Sequence, residues 1–109
     1  MSTIKVDTIK DTNNVEVYTC KAWVNFNGTG TIAIRESGNV SSLTDISTGR
    51  YDINFTTAMS DANYSTVCGG YGGNPCTVAS TPTTSSVQVI SFYNGSNYDV
   101  AQVTVAVIR

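Results

Sequence analysis

The sequence predicts an all-β protein: a single antiparallel β-sandwich or jelly-roll-like domain preceded by a short extended N-terminal arm. Three observations carry that expectation. Apolar residues alternate with period two in one run after another, whereas a helical period is nearly absent. Clusters of Asn, Asp, Gly and Ser separate these runs about every ten residues, the spacing of sandwiches and barrels. Charged residues make up only 13% of the chain, against a usual ~25%, and Thr, Ser and Asn supply the polar share. That composition suits strands and turns better than helices.

At 109 residues and 11.6 kDa the chain has room for one core. The expected division is an arm over residues 1–19 and a sandwich over 20–109. In the arm, Ile4 and Val6, then Val15 and Val17, alternate with polar neighbours around the stretch KDTNN at residues 10–14. A lone hairpin of this size is marginal in water, so it needs a surface of its own domain or of another subunit. In KAWVNF, Ala22, Val24 and Phe26 share one face, and Lys21, Trp23 and Asn25 share the other. Trp23 therefore reads either as a partly exposed residue at the sandwich edge or as an anchor in a subunit interface, where Trp is enriched. GTIAIRE aligns Ile32 with Ile34, and RYDINFT aligns Tyr51, Ile53 and Phe55. NYSTVC and VQVISFY are two further strands, and VAQVTVAVIR closes the set with Val103, Val105 and Val107 on one face. Turns are expected at Asn27-Gly28, Ser37-Gly38-Asn39, Ser47-Thr48-Gly49, Asp61-Ala62-Asn63 and Asn94-Gly95-Ser96-Asn97.

The stretch CGGYGGNPC, residues 68–76, reads as neither helix nor strand core, because glycine gives up packing and proline removes a donor. As a phosphate cradle it fails, since Pro75 stands at the third glycine position and no Gly-Lys-Ser/Thr ending follows. As a redox motif it fails because seven residues separate the cysteines. No histidine is present to complete a metal site. The remaining reading is an irregular surface loop that presents Tyr71 and Asn74. Rigid aromatics with adaptable Asn, Ser and Gly are the chemistry of binding loops. The turn FYNGSNYD repeats that chemistry through Tyr93, Asn94, Asn97 and Tyr98. Both segments also read as ordinary connections with tyrosines packed over the sheet ends. A Cys68–Cys76 bridge would close a short loop and contribute about 2–3 kcal/mol on the chain-entropy model. Cytoplasmic synthesis keeps thiols reduced, so closure is expected only after release into oxidising surroundings, if at all. Cys20 reads as a small buried apolar residue at a strand start rather than a reactive thiol.

No enzyme is expected. Nucleophilic catalysis by Ser or Cys lacks its usual base, and three of the four carboxylates Asp45, Asp52, Asp61 and Asp99 lie in or beside turn clusters. No cofactor is implied. Six scattered basic residues and a pI near 4.7 argue against a nucleic-acid partner. The chain contains no long apolar run to insert in a membrane. Its N-terminus lacks the apolar core of a secretory signal, so a whole gene product made and kept in the cytoplasm is expected.

The segment from residue 17 to 65 resembles a module of tail-fibre and other virion proteins of tailed phages, notably cyanophages. The resemblance rests on Lys21-Ala22-Trp23-Val24-Asn25-Phe26, the NVSSLTD turn, the trio Gly49, Tyr51 and Phe55, and Ala62-Asn63-Tyr64. The leading STIKVDTIKDT is similar to the extended segment that precedes such modules. The resemblance implies a homotrimeric, virion-exposed β-module that contacts other virion proteins of the tail, baseplate or capsid, and a host-surface glycan. It further implies a trimer interface built from Ile4, Val6, Ile9, Val15 and Val17, which Trp23 would join. A short tail fibre is the favoured reading. A trimeric capsid decoration protein is the alternative, and a non-viral carbohydrate-binding module the third.

Overall fold

The computed structural model describes residues 3, 8–71, 76–93 and 96–109, with the side chains at 76–79 and 93 outside the described set. Two antiparallel sheets pack face to face. The first has the order β2-β1-β9-β5, built from Ala33–Gly38, Cys20–Asn27, Gln102–Ile108 and Ser65–Tyr71. The second has the order β3-β4-β7-β6, built from Val40–Ser47, Arg50–Phe55, Ser86–Tyr93 and Cys76–Ser80. The short β8, Ser96–Asn97, pairs with β7. The expected sandwich is present.

Alternation decides what is buried. Ala22, Val24 and Phe26 of β1 meet Val107, Val105 and Val103 of β9 in register, and all six are buried. Tyr51 and Ile53 of β4 face Val89 and Val87 of β7 in the same way. Phe26 meets Tyr51 edge-on at a centroid distance of 5.1 Å, and Phe55 meets Tyr64 at 5.9 Å. Such aromatic pairs add about 0.5–1.5 kcal/mol beyond their burial.

Three segments depart from the sequence reading. NVSSLTD is not a turn: Val40 opens β3, an edge strand whose core contacts are Val40 and the partly buried Leu43. A bulge between Val40 and Ser42 breaks period two, so these residues stand three apart. CGGYGGNPC is not one loop either. Residues 68–71 complete β5 in unbroken register against β9, and Cys76 begins β6. Gly69 is tolerated in the strand because the Thr104 hydroxyl leans over it, 3.1 Å from where a Cβ would sit. Ser96 and Asn97, expected in a turn, form β8.

The two ends of the sandwich differ in construction. At the end where β1 starts and β9 finishes, Asn39 sits at φ 56° and its amide donates to Lys21 O and Thr57 O, at 3.0 and 3.1 Å. The amide oxygen of Asn39 accepts from Thr57 N at 2.7 Å, which clamps the β2–β3 corner. At the opposite end Tyr51 acts as a bolt. Its buried hydroxyl lies 2.8 Å from Gly28 O and 2.9 Å from Asp99 Oδ1, and Asp99 Oδ1 also accepts from Gly49 N at 2.7 Å. Burial first, then the Asp99 carboxylate, holds the Tyr51 phenol well above its ordinary pKa. Burial pushes Tyr64 up as well.

Tyr51→Phe should therefore cost about 1–3 kcal/mol, since it strips buried acceptors of their donor. Urea unfolding with unchanged slope measures this. The pH dependence follows from the sign of the shift. The native state keeps phenolic protons that the unfolded chain releases near pH ~10, so stability is full below that pH and declines above it. The decline should be shallower in Tyr51→Phe.

Candidate functional site

The candidate residues divide between the two ends. At the end where β1 begins lies the arm. Its turn is set by Asp11, whose Oδ1 accepts from Asn13 N and Val15 N at 2.8 and 3.1 Å, with Asn14 at φ 64°. Asp11 N donates to Val15 O at 2.9 Å and Val17 N to Ile9 O at 2.6 Å, and the backbones of Lys10 and Glu16 form one isolated antiparallel β-bridge. Among the described residues, 9–17 thus double back through an Asx-type turn; the first half of the expected hairpin lies outside them. The apolar side chains of 9–17 are not covered: Ile9, Val15 and Val17 are 49%, 57% and 44% exposed. Ile4 and Val6 lie outside the described residues. The base of the arm is tied to the C-terminus, where Arg109 N donates to Thr19 O at 3.4 Å and the Arg109 guanidinium pairs with Asp61 at 2.6 Å. Both partners of that pair are about 40% exposed, so it is worth at most ~1 kcal/mol.

At the other end β1, β3, β5 and β7 finish and β2, β4, β6 and β9 begin. Tyr71 closes β5 and is highly exposed, standing opposite Gln102. Tyr98 is exposed, and its backbone is fixed by Tyr98 N donating to Ser91 O at 2.9 Å. Asn97 is exposed in β8 opposite Phe92. Tyr93 ends β7, with its side chain outside the described set, and Asn74 and Asn94 fall outside the described residues. Tyr71, Asn97 and Tyr98 thus share one end, opposite to the arm. In the sequence they belong to two separate candidate surfaces with the same chemistry.

Trp23 belongs to neither end. It lies on the outer face of the first sheet, 42% exposed, as the alternation of β1 requires. Its indole takes the place of a missing side chain: a Cβ on Gly38 would meet Nε1 at 2.4 Å. Cys68 points into the sandwich and packs on the core, while the side chain of Cys76, which pairs with Phe92 in register, lies outside the described set. Cys20, expected to be buried, is exposed, because it opens β1 beyond the register shift that precedes the first core residue, Ala22.

Chemically, the described candidates are aromatic and amide groups on exposed backbone, which can stack and exchange hydrogen bonds. Sequence reasoning missed Gln102 and Thr104, because the β9 run was read for its inward valines. Their outward positions between those valines were the signal. Compared with known proteins, the chain matches no family model, no curated protein and no solved structure, so its functional reading rests on the residues themselves.

Proposed function

We propose that the chain is a short, homotrimeric tail-fibre module of a phage, attached through its N-terminal arm and meeting the host surface with its opposite end. The observation that carries this reading is polarity. An uncovered apolar hairpin with Ile9, Val15 and Val17 stands at one end of the sandwich, and exposed Tyr71, Asn97 and Tyr98 stand at the other. Strands of seven or eight residues separate the two, about 25 Å at strand rise. The sandwich already has a closed core, so the arm has no further use for its apolar face within its own chain. Sibling arms can cover it. The resemblance of residues 17–65 to virion modules of tailed phages supports the same assignment. Each recognition surface binds weakly by itself, and three copies on one fibre supply avidity.

Light scattering on the full-length chain tests the assembly. The expected mass is three times 11.6 kDa. A stable monomer at micromolar concentration would remove the ground for an arm shared between chains.

A further inference from the structure

The outer face of the first sheet holds a feature that the arm does not use and that meets the loop end only at Tyr71. Outward positions on three neighbouring strands fall into rows: Trp23, Ala106 and Val67, then Asn25, Thr104 and Gly69, then Gln102 and Tyr71. Small residues along the middle leave a depression of about 430 Å³, lined by Trp23, Asn25, Val67, Gly69, Thr104 and Ala106. The depression is shallow and open to solvent. Two inter-strand spacings and four residues separate Trp23 from Tyr71, which places them about 17 Å apart at ordinary strand spacing and rise. The face therefore carries an exposed aromatic ring at each end of a diagonal, with amide and hydroxyl groups between.

We infer that this face binds a neutral oligosaccharide laid along the diagonal from Trp23 to Tyr71. Pyranose rings present apolar C–H faces that stack on indole and phenol. Their hydroxyls both donate and accept, which matches the amides of Asn25 and Gln102 and the hydroxyl of Thr104. The lining contains no charged side chain, so an acidic or basic ligand finds no counter-charge in the depression. The Arg35 guanidinium stands at the rim and is already engaged, donating to Ala101 O at 2.8 Å and to Asn25 Oδ1 at 3.5 Å. An apolar occupant, such as the arm of a second copy, would cover Thr104 and Gln102 without giving them partners, and buried unpaired polar groups are costly. A sugar satisfies the aromatic and the polar groups together. The inference rests on the attachment reading only for what the sugar is for; the binding itself does not need it.

The chain has a single tryptophan, so indole emission reports this site alone. Full-length protein is titrated with short neutral oligosaccharides of the gluco, manno, galacto and N-acetyl-chito series, with oligogalacturonate as the acidic control. A saturable blue shift with at least one neutral series, and none with the acid, is expected. Tyr71→Ala and Asn25→Ala should each weaken binding about tenfold at unchanged mass and melting temperature, whereas Tyr98→Ala should not. No saturable response in any neutral series, or an equal response in Tyr71→Ala, would overturn the inference. So would an indole shielded from iodide in the assembled protein and exposed only when the arm is disabled, because that would make the face a subunit interface. A trimer that binds no sugar defeats the inference and spares the fibre reading. A monomer that binds one does the reverse.

Discussion

Gly49→Ala is expected to be among the most damaging single substitutions in the sandwich. Gly49 lies at φ +71°, a left-handed conformation. A Cβ there would sit 2.6 Å from both Ser91 O and Tyr98 N and 3.0 Å from Tyr98 O, all of them backbone atoms. Backbone of this kind cannot move aside like the end of a long side chain. The glycine is also held on both sides, with Gly49 N donating to Asp99 and Gly49 O accepting from Ser91 N at 2.7 Å. Left-handed strain costs about 1–3 kcal/mol, and overpacking about 1–3 kcal/mol more. Together these remove a large part of the ~5–15 kcal/mol of a typical domain. Thermal unfolding should show a melting point lower by about 10 °C or more. A shift of only a degree or two would mean that the β3–β4 turn is not packed against Ser91 and Tyr98 as described. The same substitution at Gly30, also at positive φ but with nothing near its Cβ position, should cost only the strain.

The double variant Val15→Asp, Val17→Asp is expected to reduce the assembly to monomers without unfolding the domain. Both side chains are about half exposed in the isolated chain, and the sandwich core does not include them. A carboxylate at either position therefore costs a single chain little. Buried between sibling arms, unpaired carboxylates would each carry a penalty of several kcal/mol, repeated in every copy. Light scattering should fall from three times 11.6 kDa to 11.6 kDa, while urea unfolding of the dissociated chain remains a single transition. A variant that keeps its full mass would place the subunit contact elsewhere on the molecule.

The inward-facing strands were legible because burial imposes period two on them. Phe26, Tyr51, Ile53, Val103, Val105 and Val107 are all buried where alternation put them. The solvent-facing position of Trp23 was legible for the same reason. Edge strands were not, because an edge strand buries few residues and bulges shift its phase: β3 shows only Val40 and Leu43 to the core. Glycine misled at residues 69 and 70, where it reads as a breaker but extends β5 beneath the Thr104 side chain. The arm could be read as a hairpin from KDTNN, since Asp and Asn set their own turn. What no local pattern holds is the gathering of Tyr71, Asn97 and Tyr98 at the end opposite the arm. That depends on strand order, in particular on β5 and β1 both lying beside β9.

The most direct test of the central claim is immunogold labelling of purified particles with antibody raised against the folded chain. For a short tail fibre, label is expected on the tail, at or near fibre ends, with loss of host attachment when the antibody is bound. Label spread over the capsid would contradict that reading in favour of a decoration protein, and particles without label would contradict any virion role.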